Sequence, residues 1–340
     1  MAKKRNLERC IRHTVDWIAA DYYNEASTFK ELERIFDICH GCRRCVSLCG
    51  SFPTLFDLVD ESSTMEVDGV AKQDYWKVVD QCYLCDLCYM TKCPYVPPHE
   101  WNVDFPHTML RAKAIKFKKG EVGFGEQLLA STDTHGSLAG IPIVVQTVNA
   151  VNRTKPARAL LEKALHVHKD AWLPDLATKK FRSAAPKGKE HPVVDGEKTP
   201  GKVVIYSTCY VNYNEPGIGL DLLKLLDHNA VPYVLVEKEK CCGMPKLELG
   251  DLQSVNDNKQ VNIPILARYA RDGFAILSAV PSCTLMFKQE LPLMYPDEAD
   301  VQLVKDAMWD PFEYFMARKR DGLLKTEFPH ALGKISYQIP

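Results

Sequence analysis

The chain has 340 residues, with 43 lysines and arginines against 44 aspartates and glutamates, a formal charge of −1. That balance leaves no basic footprint for nucleic acid. An apolar share of 46% is enough to bury a core, which excludes wholesale disorder. The longest apolar stretches, 141–151 and 274–280, are too short and interrupted to cross a bilayer, so no transmembrane segment is expected. The opening MAKKRNLERC has no apolar core behind it. It therefore predicts no signal peptide and a cytoplasmic chain. Of the 13 cysteines, 8 lie between Cys39 and Cys93. Without a secretory signal, that density reads as metal chemistry rather than disulfides.

Residues 7–37 read as a helical lead-in within 1–38. Leu7, Ile11, Val15 and Ile18 keep one apolar face, and Thr28 with Glu31 forms a capping-box pair before Leu32, Ile35 and Phe36. Residues 39–106 carry two cysteine groups, and Pro94, Pro97, Pro98 and Pro106 limit regular structure behind them. Residues 107–184 read as mostly helical, with Leu160, Leu161, Ala164, Leu165 and His168 at helical spacing. The Pro-, Gly- and Lys-rich stretch 185–202 reads as an interdomain linker. In 203–330, apolar runs at 203–206, 233–236 and 274–280 alternate with helical patterns at 218–226, 255–269 and 285–293. That alternation implies a parallel sheet with right-handed crossovers. A helix near 301–318 and a strand-like tail at 334–338 close the chain. The fold class is α+β overall, an α-helical module followed by an α/β domain with a small parallel sheet.

The first cysteine group is Cys39, Cys42, Cys45 and Cys49, spaced C-x2-C-x2-C-x3-C. The second is Cys82, Cys85, Cys88 and Cys93, spaced C-x2-C-x2-C-x4-C and followed by Pro94. Three thiolates at steps of three suit three irons of one cubane cluster, whereas zinc sites take a C-x2-C pair from each of two loops. Two 4Fe-4S clusters are therefore expected. The competing reading is a pair of zinc knuckles in an interaction protein. In two-cluster ferredoxins the fourth cysteine of each run serves the other cluster. Carried onto this chain, one cluster takes Cys39, Cys42, Cys45 and Cys93, and the other takes Cys82, Cys85, Cys88 and Cys49. Two features depart from that pattern: Gly50 stands where a proline follows, and the second run has four intervening residues instead of three.

Cys209, Cys241, Cys242 and Cys283 each follow one of the three strand-like runs within a few residues. The carboxyl ends of parallel strands share one crevice, so these four are expected to converge as a cluster or redox site. Gly243 would let the backbone turn after the vicinal pair. The plainer reading of vicinal cysteines is burial as small hydrophobes. Only Cys10 is left over, a structural thiol on the lead-in.

No phosphate-binding glycine turn is present. Gly217 and Gly219 lie too far from the preceding strand, and Gly123 and Gly125 follow no strand, so no flavin or NAD site is expected. His40, His99 and His107 read as hydrogen-bonding residues rather than ligands. Trp76, Trp101 and Phe105 read as walls that keep water from the clusters. Arg111, Lys113, Lys116, Lys118 and Lys119 read as a solvated helical face, with docking to an acidic partner or an anionic membrane surface as the alternative.

The motifs CHGCRRCVSLCG (39–50), CYLCDLCYMTKCP (82–94), STCY (207–210), CCGMP (241–245) and PSC (281–283) resemble the CCG-domain, heterodisulfide reductase-related iron–sulfur oxidoreductases. That family holds iron–sulfur subunits of anaerobic glycerol-3-phosphate dehydrogenase and of glycolate oxidase. The resemblance implies a ferredoxin-like module on 39–106 and a CCG domain on 203–330. It also implies an electron-transfer subunit of an oxidoreductase, fed by a flavoprotein dehydrogenase and delivering to a quinone or a membrane-associated acceptor. A third cluster would sit among the CCG cysteines. The alternative within the resemblance is a catalytic disulfide reductase using that cluster. Two departures stand out. Met286 occupies the place of a second cysteine after Cys283, and 331–340 reads as the start of a second repeat, so a C-terminally truncated chain is expected.

Overall fold

The computed structural model describes residues 12–327 and 333–336. Cys10, the opening of the 7–37 helix and the end of the 334–338 tail lie outside them. The chain divides into two compact units, one of Met1–Gly123 with Pro245–Ser254, the other of Phe124–Met244 with Val255–Pro340. The boundary falls at Gly123, and the stretch 185–202 lies inside the second unit.

The first unit is helical: α1 (Glu25–Cys42), α2 (Ser51–Asp60), α3 (Tyr75–Asp80) and α4 (Phe105–Lys118). Residues 12–19 are not helical, and Ala20–Tyr23 forms only a 3-10 turn, so the lead-in helix starts later than its periodicity predicts. Its cap is Asn24, whose side chain accepts from the Ser27 N–H at 2.9 Å, while Thr28 Oγ1 donates back to the Asn24 carbonyl. The apolar face of α1 is buried as expected, through Leu32, Ile35 and Phe36. Phe36 meets Tyr75 at 5.1 Å between ring centroids, and Phe52 meets Phe105 at 4.7 Å. Each such ring contributes about 1.5–3 kcal/mol by burial. Pro106 opens α4 rather than breaking structure, because a proline in the first turn loses no helical hydrogen bond.

The basic run on α4 is only in part a solvated face: Lys118 and Lys119 are exposed, but the run is held by partners along the chain. Arg111 donates to the carbonyls of Tyr22 and Asp21, Lys116 and Lys119 pair with Asp80 and Glu25, and Lys118 lies 3.9 Å above the Tyr23 ring. Lys113 is buried.

The second unit holds a four-stranded parallel sheet in the order β2-β1-β3-β4, made of β1 (Val203–Tyr206), β2 (Tyr233–Leu235), β3 (Ala275–Ser278) and β4 (Met308–Trp309). β1 and β3 are buried along their whole length, as central strands of a parallel sheet covered on both faces must be. Val203 pairs with Tyr233 on one side and with Ala275 on the other. The α+β class and the three apolar runs therefore stand. The helix expected near 301–318 is instead two helices, Ala299–Ala307 and Pro311–Arg320, separated by β4. Sheet pairing overrides helical spacing at Met308 and Trp309, and Pro311 then opens the second helix. The described residues of the tail, 333–336, form no strand.

Ahead of the sheet, the 107–184 segment contributes α4 to the first unit and short helices to the second. These include Thr132–Gly136, Pro142–Arg153 and Lys155–Leu165. The last of them stops at His166, which adopts a left-handed conformation (φ 56°), and residues 166–180 carry no helix.

Candidate functional site

Cys39 and Cys42 sit on the last turn of α1. Arg43 then adopts a left-handed conformation (φ 51°) and returns its N–H to the Cys39 carbonyl at 2.8 Å. This turns the chain so that Cys45 faces back toward the helix end. Cys39, Cys42, Cys45 and Cys93 line one cleft, walled by Phe52, Phe56, Tyr95 and Val103. Cys93, the last of the second run, is thus gathered with the first three of the first run. Cys49 is an electrostatic neighbour of Cys82, which also neighbours Cys85 and Cys88. A second cleft touches Cys39, Cys45, Cys88 and Cys93 and is walled by Phe52, Val103 and Phe105.

The longer spacing of the second run has a local explanation. Cys88–Lys92 forms a single π-turn, and the Cys93 N–H reaches the Cys88 carbonyl at 2.8 Å. A π-turn absorbs one extra residue without moving its ends apart.

The loop before it takes two left-handed, non-glycine conformations, at Leu84 (φ 52°) and Asp86 (φ 62°). Such a backbone is unfavourable on its own and persists where surrounding contacts over-determine it. Two buried cations do so. Lys113 Nζ donates to the Cys82 carbonyl at 2.5 Å. Arg12 is bonded to the Asp86 carboxylate, reaches Asp104 at 2.7 and 2.9 Å, and lies 4.3 Å above the Tyr89 ring. Burial opposes ionisation of Asp104, yet His107 and Arg12 hold its carboxyl below the ordinary range.

Burial raises the thiols of both groups, and neighbouring sulfurs add to it. Cys39 and Cys88 are pushed well up, Cys45 to about 11 and Cys82 to about 12. Four such sulfurs share a cleft as thiolates only when a cationic centre sits among them. An all-sulfur donor set of this softness suits iron–sulfur clusters or zinc, not magnesium or calcium. Among the described residues, no three Cys, His, Asp or Glu side chains close around the position of a single metal ion.

The three histidines near the cysteine groups make local contacts. His40 contacts Arg43, His107 pairs with Asp104, and His99 packs against Tyr95 and Trp101. Phe105 lines a cleft as expected, whereas Trp101 is 44% exposed and Trp76 packs edge-on against Phe29.

In the second unit, Cys209, the Cys241–Cys242 pair and Cys283 follow β1, β2 and β3 respectively. These three strands are adjacent, with β1 in the middle, so their carboxyl ends open on one crevice. Cys209 Sγ lies 3.9 Å from Cys241 Sγ. Cys242 is an electrostatic neighbour of both Cys241 and Cys283, so the four cysteines make one electrostatically linked string. Thr208 turns the chain (φ 62°) and caps the short helix Cys209–Tyr213 through its hydroxyl. Gly243 has φ 100°, which only glycine adopts without strain, and Met244 N–H then reaches Cys242 Sγ at 3.5 Å. Met286 is fully buried, its methyl 3.6 Å from where a Gly243 side chain would begin.

The electrostatics of the string are uneven. Hydrogen bonds from Cys209 and Cys242 hold the Cys241 thiol low, while Cys209 and Cys242 are raised. Glu239 accepts from the Ser207 N–H at 2.9 Å and faces Arg182 at 3.3 Å; burial pushes it up to about 7. Asn262 grips the same loop, accepting from the Lys240 N–H at 2.9 Å and donating to the carbonyls of Lys240 and Cys241.

Sequence reasoning missed Arg12, Arg182, Glu239 and Asn262, and placed the buried Lys113 on a solvated face. Only Asn262 left a readable signal. It falls at helical spacing with the buried Val255 and Leu266, a polar side chain on an apolar face.

A parallel sheet that carries four cysteines at the carboxyl ends of three adjacent strands has the architecture of a cysteine-rich domain. The CCG cysteine-rich domain family matches residues 203–288, and the chain carries that domain. The chain is similar to the C subunit of anaerobic glycerol-3-phosphate dehydrogenase from Escherichia coli, 29% identical over 168 residues, covering 48% of this chain and 40% of the relative. It is also similar to citrate utilization protein B of Escherichia coli, 28% identical over 24% of this chain and 19% of that protein. A third relative is the B subunit of fumarate reductase (CoM/CoB) from Methanothermobacter marburgensis, 26% identical over 28% of this chain and 19% of that protein. The match thus spans less than half the length of these curated relatives. No solved structure matches.

Proposed function

We propose that this chain is the iron–sulfur electron-transfer subunit of an oxidoreductase. It would accept single electrons from a flavoprotein dehydrogenase and deliver them to a quinone or another acceptor, working in the cytoplasm or at its membrane face. Residues 39–106 would hold two 4Fe-4S clusters, one on Cys39, Cys42, Cys45 and Cys93, the other on Cys82, Cys85, Cys88 and Cys49. When bound, such clusters supply one-electron carriers. The carrying observation is the gathering of Cys93 with Cys39, Cys42 and Cys45 in one cleft. Similarity to one component of a dehydrogenase supports the rest.

The protein's own residues have definite tasks in this reading. Phe52, Phe56, Tyr95 and Val103 keep water from the first group. Arg12 and Lys113 hold the second loop in its strained form. Cys209, Cys241, Cys242 and Cys283 would form a third redox or cluster site.

Iron, sulfide and zinc analysis of anaerobic protein, with electron paramagnetic resonance of variants, tests this. Cys93→Ser should remove the signal that Cys42→Ser removes, and Cys49→Ser the signal that Cys85→Ser removes. Colourless, zinc-loaded protein would refute the reading. Cys93→Ser removing the Cys85 signal instead would refute the ligand sets alone. Disulfide turnover by the purified protein would favour the reductase alternative.

A further inference from the structure

Most lysines and arginines of the first unit are already held by carboxylates, carbonyls or rings. Among the described residues of that unit, Lys30, Arg44 and Lys92 are the cations whose side chains have no such partner. Two of them stand beside the first cysteine cleft. Arg44 is exposed and lines the cleft with Cys39, Cys42, Cys45 and Cys93. Lys92 is exposed and directly precedes Cys93. A free surface cation is ordinary by itself, but here a second feature meets it.

The same cleft has an aromatic margin. Tyr95 walls it, and the Tyr95 ring lies 4.5 Å from Trp101 and 5.1 Å from His99. Trp101 is 44% exposed, yet it is fixed in place. Its ring meets His99 at 5.3 Å, its backbone N–H donates to His99 Nδ1 at 3.0 Å, and its carbonyl accepts from Arg34 at 2.7 Å. A side chain ordered beforehand loses less freedom on binding than a mobile one. Trp, Tyr and Arg are also the residues that carry most binding energy at protein interfaces. The loop 94–102 holds one carboxylate, the exposed Glu100.

We propose that Arg44, Lys92 and the Tyr95–His99–Trp101 stack form the docking face for a redox protein whose own surface is acidic around an apolar centre. The indole supplies the apolar contact, and the two cations meet carboxylates of the partner. The docked protein then lies against the wall of the first cysteine cleft. Two cations with Glu100 beside them are too few to hold an anionic membrane, which takes clusters of about four to eight. The redox part of the proposal rests on reading Cys39, Cys42, Cys45 and Cys93 as cluster ligands.

The test mixes the full anaerobic chain with flavodoxin, a small acidic flavoprotein, as the probe. Carbodiimide joins a lysine amine to a carboxylate only where the two touch. Mass spectrometry should therefore find Lys92 joined to flavodoxin and Lys30 not, with the link fading at about 0.5 M salt. Arg44→Gln should weaken binding roughly three- to tenfold at low salt, and Trp101→Ala roughly tenfold or more, both read by titration calorimetry. Trp101→Tyr keeps a ring and should recover most of that loss, which separates a lost contact from a loosened loop. Flavodoxin that does not bind, cross-links at Lys30 without Lys92, or an affinity unmoved by Arg44→Gln and Trp101→Ala would overturn the proposal. So would a cluster potential shifted by Arg44→Gln with flavodoxin affinity unchanged, because the cation would then serve only to balance cluster charge. Trp101-dependent binding to phosphatidylglycerol vesicles, with flavodoxin unbound, would put a membrane in the partner's place and overturn it too. Zinc in place of iron would instead refute the cluster reading and leave the Lys92 cross-link standing.

Discussion

The two cysteine regions reach dense sulfur by opposite routes. In the first unit, three thiols of each group lie within seven residues, and one turn of chain brings them together. In the second unit, Cys209 and Cys283 are 74 residues apart, and only adjacent parallel strands make them neighbours. The first route needs the loop held in an unfavourable shape, at Leu84 and Asp86, and the fold commits buried cations to it. The second needs no strained cysteine loop beyond Thr208 and Gly243, because the sheet positions the sulfurs. A local site is therefore sensitive to its clamps, and a topological one to its turns.

The comparison breaks most severely at a ligand. Cys42→Ser should remove about half of the ferredoxin-type iron and destabilise the first unit, since cluster binding is part of its folding energy, while leaving the second unit's circular dichroism and melting intact. Loss of both units together would erase the distinction.

The clamp comes next. Arg12→Met leaves Asp86 buried and without its guanidinium, and should cost about 3–5 kcal/mol in denaturant unfolding of the first unit. A cost near zero would mean that the loop holds its shape without the clamp.

Glu239 sharpens the second half of the comparison. Its folded carboxyl titrates at about 7, above its unfolded value, so it favours folding below pH 4.5 and loses that contribution as pH rises to 7. Wild type should therefore lose about 3 kcal/mol more than Glu239→Gln between pH 4.5 and pH 7.5, read by urea midpoints. Parallel pH profiles would refute this. The smallest effect is expected at the turn itself: Gly243→Ala must adopt φ 100° and should cost about 1–3 kcal/mol, measured by thermal melting of the second unit.

Much of this was legible in the residues. β1 begins and ends where the apolar run Val203–Tyr206 does, and the inner face of α1 is the one its periodicity marks. The positive φ of Gly243 followed from the need to turn after Cys242. Other features were not legible. The helix near 301–318 splits because Met308 pairs with Ile276, a partner that no local pattern names. That Arg111, Lys113 and Lys116 of the basic run are held rather than free was not legible, because their partners, Tyr22, Cys82 and Asp80, are scattered along the chain.

Sequence alone determined the chemistry available to this protein: which atoms can bind metal, and in what local spacing. Spacing is a short-range property, and a turn of six or seven residues translates it directly into sulfur positions. Tertiary structure alone decided which distant polar groups meet: Arg12 with Asp86, Lys113 with the Cys82 carbonyl, Asp133 with the Cys241 backbone. Those pairings depend on how helices and strands pack to bury apolar surface, and packing leaves no periodic trace on the polar residues it happens to bring together.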